Sequence, residues 1–185
     1  MLSKVITGNP GVGKHTVAKQ IAKNLNFDLI DINKVAIENG IFMRGKETLD
    51  IDTKALQKIL DRKITNNSLI VGHLAPYVIS RNKVKTSIVL RKSPYKLISV
   101  YKKRKYSKQK TIENLGSEIL GITFYDSLKK FGQSKTCQID TSLSSVSKIV
   151  KKIEMLFENG KIREDQVDWL GLISKKGDLE RFFPY

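Results

Sequence analysis

Gly8-Asn9-Pro10-Gly11-Val12-Gly13-Lys14-His15-Thr16 is the stretch on which the fold turns. It matches G-x-x-x-x-G-K, in which glycines let backbone N–H groups curl around phosphate oxygens while the lysine meets the β- and γ-phosphates. Such a loop belongs between a strand and the N-terminus of a helix, whose dipole also favours an anion. Both neighbours are present. Residues 4–7 read as a short buried strand, and from Thr16 onward Val17, Ala18, Ile21, Ala22 and Leu25 recur at helical spacing. One position departs from the pattern. The residue after the lysine is ordinarily the Ser or Thr whose hydroxyl reaches Mg2+; here it is His15, with Thr16 one place later. A neutral imidazole is a poor Mg2+ ligand, so Mg2+ is expected to be held mainly by nucleotide phosphates and water, and no residue is assigned as a metal ligand.

Outward from the loop, apolar runs alternate with helical patterns. Further strands are expected at 28–32, 68–72, 86–90 and 136–140. Helices are expected over 53–64, from Pro94 through Leu97, Ile98 and Tyr101, and then as one long helix after Arg104 with Ile112, Leu115, Ile119 and Ile122 as its buried stripe. The last one carries Val146, Ile149, Val150, Ile153, Leu156 and Phe157 and stops at Gly160. Strands joined by helix-length crossovers imply a mostly parallel sheet with helices on both faces. The expected architecture is therefore a three-layer α/β P-loop NTPase fold around a central parallel five-stranded sheet, spanning 1–160. Residues 161–185 form a C-terminal extension. With Trp169, Leu170, Leu172, Ile173, Phe182 and Phe183 it is too apolar for a free tail, and is expected to pack on the domain or on a partner.

The chain has 185 residues, a length suited to one domain with its own core. A single cysteine, Cys137, excludes an internal disulfide framework and a Cys-rich zinc site and suits a reducing compartment. No apolar run exceeds three residues, so no membrane helix is expected. These features lead us to expect a soluble, cytoplasmic protein. The formal charge is +16, from 34 Lys plus Arg against 18 Asp plus Glu. That excess draws the chain to polyanions, unless it is merely a solvated lysine-rich surface.

Among P-loop classes, GTPases need N/T-K-x-D, and Asn33-Lys34-Val35-Ala36 lacks the aspartate and comes too early. Asp168-Trp169-Leu170-Gly171 spells D-x-x-G but lies beyond the sheet. Large motor ATPases are excluded by length. A small P-loop kinase remains, in which segments between sheet elements close over two substrates.

Several segments then carry a resemblance. Gly8 to Lys14 resembles the G-T-P-G-V-G-K of the adenylate kinase-like ATPases of archaea and the eukaryotic nucleus, which act in small ribosomal subunit maturation. Gly72-His73-Leu74 resembles the family's D-G-H-L, and Val89-Leu90-Arg91 its V-L-R. Arg104-Lys105-Tyr106-Ser107, Lys110, Glu113-Asn114 and Glu118-Ile119-Leu120 resemble its lid and following helix, and Gln138-Ile139-Asp140-Thr141 its E-I-D-T. The resemblance implies an NMP kinase-like fold with an NMP-binding segment at about 30–53 and a short lid at about 103–113. It implies reversible transfer of the terminal phosphate of ATP to AMP or another NMP, ATPase activity, and transient association, as a monomer, with a small-subunit ribosomal protein and pre-ribosomal RNA.

Gly11, Gly13, Lys14, His15 and Thr16 are then expected to hold ATP. Lys14, Arg104 and His73 are the expected catalytic residues, Arg104 as the lid arginine that clamps the transferring phosphates. Arg44 is the candidate for the AMP phosphate, with a solvated loop charge as the plainer account. Asp52 aligns with a family aspartate, and helix N-capping explains it equally well. His73 could orient the attacking water or touch the γ-phosphate, or simply cap the next helix. Where the family has an aspartate before Gly-His, this chain has Val71, and where it often has a second lid arginine, this chain has Val100. Residues 102–105 with Tyr101 and Tyr106 also read as a basic, aromatic-interleaved RNA patch. Two further readings stay open: a nucleotide-gated ribosome-assembly module with little catalysis, and a kinase for another small metabolite.

Overall fold

The computed structural model describes residues 2–41, 43–44, 49–160 and 164–184. In chain order the elements begin with β1 (Ser3–Thr7), α1 (Lys14–Leu25), β2 (Asp28–Asp31), α2 (Ile32–Glu38), β3 (Met43–Arg44), β4 (Leu49–Asp50) and α3 (Thr53–Lys63). They continue with β5 (Ser68–Val71), α4 (Ala75–Val78), β6 (Val84–Arg91), α5 (Pro94–Lys103), α6 (Lys108–Ile119) and α7 (Ile122–Phe131). The last are β7 (Thr136–Asp140), α8 (Val146–Asn159), α9 (Trp169–Lys175) and α10 (Leu179–Phe182).

Five strands form one parallel sheet in the order β2-β5-β1-β6-β7, and β3 pairs with β4 in a separate antiparallel ribbon. The phosphate-loop strand β1 is central, which explains why Val5 and Ile6 are both fully buried. Alternate residues of a strand face opposite sides, so these two feed different halves of the core. Ile6 joins Ile21, Ile88, Leu97, Tyr101 and Ile153 on one face; Val5 joins Ile32, Leu56, Leu60, Val78 and Phe131 on the other. The three-layer α/β architecture expected from the sequence is thus present, with helices on both faces.

The long helix expected after Arg104 is in fact two. Gly121 sits at φ 68°, left-handed backbone that glycine adopts without a Cβ penalty, and it ends α6 and starts α7 in a new direction. The expected stripe therefore stops at Ile119. Ile122 is 41% exposed, and α7 buries Thr123, Ser127 and Phe131 instead. Ile32, expected to close a strand, opens α2, because the Asp31 side chain accepts from the N–H groups of Asn33 and Lys34 and caps a helix there.

The C-terminal residues complete the first half of the core. Trp169, Ile173 and Phe182 are buried in the same cluster as Ile6, and Phe182 meets Tyr95 edge-on with ring centroids 5.2 Å apart. Asp165 covers the outer edge of β7: its N–H donates to the Gln138 carbonyl at 3.3 Å and its Oδ2 accepts from Asp140 N at 3.0 Å. Asp168-x-x-Gly171 is explained by local geometry, since Asp168 Oδ1 accepts from Gly171 N at 2.8 Å and caps α9. Phe182→Ala is expected to destabilise the whole domain by about 3–5 kcal/mol, because it opens a cavity in the main core. Urea unfolding should show one transition moved to lower denaturant; loss of the tail signal alone would contradict it.

Candidate active site

A cleft of about 410 Å³ opens at the C-terminal ends of β1, β2 and β5, where ligands gather in parallel α/β sheets. The loop supplies Gly11, Gly13, Lys14, His15 and Thr16 to it. Its backbone is shaped by contact with the rest of the fold. Gly8 lies at φ 136°, and a Cβ there would fall 2.4 Å from the Leu90 carbonyl oxygen. Gly11 lies at φ 92° directly on α5, where a Cβ would stand 3.0–3.2 Å from Leu97, Tyr101 and Val100. The Tyr101 hydroxyl donates to the Pro10 carbonyl at 2.7 Å and fixes the loop from the same side. Gly13 is the N-cap of α1, so the first turn of that helix begins at Lys14.

Lys14 is only 5% exposed, and its Nζ donates to the Asn9 carbonyl at 3.3 Å. Burial first and the Arg104 guanidinium second push its pKa down to about 8, with Asp31 and Glu118 pulling the other way. His15 Nε2 lies 3.1 Å from Asp31 Oδ2. Burial lowers the His15 pKa even against that carboxylate's upward pull. His73 also lines the cleft, and burial, then Lys14, His15 and Lys110, hold its pKa down to about 4. It is a neutral ring at physiological pH, able to donate from one nitrogen and accept at the other. It does not cap α4, whose N-cap is Leu74 with no side-chain bond.

From the lid side come Arg104, Tyr106, Lys110 and Asn114. Arg104 is exposed at the C-terminus of α5, and Lys105 follows at φ 55° as the left-handed residue that ends the helix. Tyr106 stacks on Tyr101, centroids 5.2 Å apart and planes 14° from parallel. Tyr101 is wholly buried, so it is not available to stack on a base, and the expected aromatic interleaving of the basic patch at 102–105 is reduced to the half-buried Tyr106.

The structure thus brings Gly11, Gly13, Lys14, His15, Thr16, His73 and Arg104 to one cleft. Asp52 is not among its lining residues; its Oδ1 accepts from Lys54 N and Ala55 N, both at 3.0 Å, and caps α3. Arg44 lies in β3, and its side chain falls outside the described residues. Residues that sequence reasoning missed are Asp31 and Asn33. The signal available was position: both sit where β2 passes into a helix, Asn33 lining the cleft and Asp31 reaching it through His15.

The chemistry of the cleft is lopsided. Lys14, Arg104 and Lys110 line it with no carboxylate among its described lining residues; Asp31 is reached only through His15, an arrangement that fits a polyphosphate. Among the described residues no three His, Cys, Asp or Glu side chains come together to hold a metal, and no helix is long and apolar enough to cross a membrane.

The fold and the glycine loop define a P-loop kinase-like domain. Solved structures agree on the fold: shikimate kinase from Bacteroides thetaiotaomicron superposes with a TM-score of 0.60 at 17% identity, covering 85% of this chain and 98% of that one. Shikimate kinase from Acinetobacter baumannii gives 0.60 at 15% identity, covering 88% and 96%. An AAA domain family model matches residues 5–121. A Saccharolobus solfataricus protein named "Putative adenylate kinase" is 30% identical over 152 residues, 80% of each chain; one of the same name from Thermococcus onnurineus is 28% identical over 166 residues, 89% of each. The chain belongs to this family of P-loop, NMP kinase-like proteins, and is a kinase-like enzyme.

Proposed function

We propose that the protein transfers the terminal phosphate of ATP to AMP, forming two ADP, and hydrolyses ATP more slowly. The observation that supports this is the convergence of Lys14, His73 and Arg104 on one cleft with no carboxylate among its described lining residues. Phosphoryl transfer is mostly positioning and charge neutralisation, which this set supplies. Gly11, Gly13 and the first turn of α1 bind the phosphates through backbone N–H groups, Lys14 neutralises them, and Arg104 clamps the group in transfer. His73 hydrogen-bonds the γ-phosphate or the attacking oxygen. Arg44 takes the AMP phosphate, and Asp52 sets the end of the NMP-binding segment by capping α3.

The cleft's donors suit a Mg2+–triphosphate: Thr16 brings a hydroxyl to it and Asp31 stands behind His15 at its edge, while Val71 is fully buried and carries no carboxylate. Mg2+ held mainly by phosphates and water would neutralise charge on the β- and γ-phosphates. Without a carboxylate at Val71 to orient water, hydrolysis should suffer more than transfer to AMP. ATP turnover with and without AMP, following ADP, tests this. Two ADP per event with AMP supports the reading, and AMP-independent turnover at an equal rate contradicts it. Tight ATP binding with no AMP-stimulated turnover would favour the second reading, a nucleotide-gated binding module, which Val71 and His15 also suit. In either case we place the protein, as a monomer, in small-subunit maturation, where its +16 charge would favour pre-ribosomal RNA and a ribosomal protein of the small subunit.

The Lys14 pKa gives a pH prediction. Phosphates bind the protonated amine, so affinity for Mg2+–ATP is full below about pH 8 and falls as pH rises through it. The limit is about tenfold per pH unit. Calorimetric titrations from about pH 7.5 upward, in buffers of differing ionisation enthalpy, should show the fall together with proton uptake on binding. A flat profile would remove Lys14 from the phosphate contact.

A further inference from the structure

Glu118 is wholly buried, and its carboxylate joins three parts of the molecule. Its Oε1 accepts from Arg91 Nε at 2.8 Å, Lys92 N at 3.0 Å and Trp169 Nε1 at 3.1 Å. Its Oε2 accepts from Asn9 Nδ2 at 2.8 Å. Asn9 belongs to the phosphate loop, and its Oδ1 accepts in turn from Ser117 Oγ and Thr123 Oγ1, both at 3.1 Å. The Asn9 side chain is therefore held entirely by α6 and α7, away from the cleft. Its backbone carbonyl, by contrast, accepts from Lys14 Nζ. The same α6 that carries Ser117 and Glu118 carries Lys110 and Asn114 into the cleft at its other end.

We propose that Glu118, Ser117 and Thr123 are positioning residues for the phosphate loop, and that Trp169 makes the seating of the C-terminal extension part of that assembly. They fix the amide of Asn9, and through it the carbonyl that orients Lys14. None of the three lines the cleft. A loop that must present several N–H groups to phosphate oxygens at once loses affinity when it is free to move, since ordering it then costs entropy on binding. The proposal rests on the triphosphate reading of the cleft.

The test uses the double variant Ser117→Ala/Thr123→Val, which removes both donors to Asn9 Oδ1 with little change of shape. Affinity for inorganic tripolyphosphate, which offers the phosphate contacts without base or ribose, is measured by calorimetry beside that for ATP. Both should fall by the same factor, roughly tenfold, while the single variant Thr123→Ser, which keeps both hydroxyls, binds as the parent does. Trp169→Phe, which keeps an aromatic ring but loses the indole N–H, should lower both affinities by a smaller common factor and covers the case of a double variant that does not fold. Trp169 is the only tryptophan of the chain, so its emission in the parent protein should respond to tripolyphosphate and cease to do so in the double variant. Unchanged affinity at an unchanged melting temperature overturns the proposal, as does a loss for ATP without one for tripolyphosphate. A parent protein that binds neither anion overturns the nucleotide reading itself, and this inference with it.

Discussion

Lys14→Met is expected to give a protein that is more stable and nearly inactive. Phosphate transfer should fall on the order of 10²–10³-fold, the cost of removing one preorganised charge-stabilising donor. The stability gain comes from the same burial that makes the lysine useful. A pKa lowered from 10.5 to about 8 means that the folded state holds the ammonium less well than the unfolded chain does. That difference is a penalty of about 3 kcal/mol at neutral pH, as an upper limit. The unfolded chain binds more protons between about pH 8 and 10.5, so the penalty is full below pH 8 and relieved as pH rises through that window. Denaturant melts of parent and variant should therefore differ most at neutral pH and converge in alkali. Equal stabilities at pH 7 would show that the empty cleft already compensates the charge. Mg2+–ATP should narrow the gap from the other side, because the phosphates supply the counter-charge that Asp31 only partly gives.

Arg104→Ala carries the second large effect, on the order of 10³-fold in kcat with little change in ATP affinity, as expected for a guanidinium that acts on the transferring group. Arg104→Lys should recover little, because an ammonium cannot form the two-pronged contact. Stability should hardly move, since the side chain is exposed at the end of α5. A second signature accompanies the first. Arg104 is one of the groups that depress the Lys14 pKa, so its removal should shift the alkaline fall of ATP affinity to higher pH. A variant that weakens ATP binding as much as it lowers kcat would place Arg104 in ground-state binding only.

The parts of this molecule that were legible beforehand are those that local rules determine. Central strands buried on both faces appear as short apolar runs, and the glycine loop announces the strand before it and the helix after it. Gly121 is equally visible, yet a glycine in a helical pattern does not say whether it is tolerated or turns the chain; packing of Phe131 into the second half of the core decides that. Asp31 and Asn9 were illegible for a different reason. Each is a small polar residue in a turn, and its partners lie at sequence distances that no pattern encodes: His15 for one, Glu118 and Thr123 for the other. Asp52 shows the limit from the opposite side. Two explanations suited it equally in the sequence, and the cap on α3 is the one whose bonds are present.

The burial of Trp169, Ile173 and Phe182 in the main core has a consequence for how the protein is made. A nascent chain is synthesised from its N-terminus at about 5–20 residues per second. All five sheet strands leave the ribosomal exit before these three side chains do, so for several seconds the sheet is present while one half of its core lacks part of its cover. Glu118 meanwhile lacks the indole N–H that completes its set of donors. The phosphate loop is thus translated ahead of every element that holds it and acquires its final support only when the extension has followed.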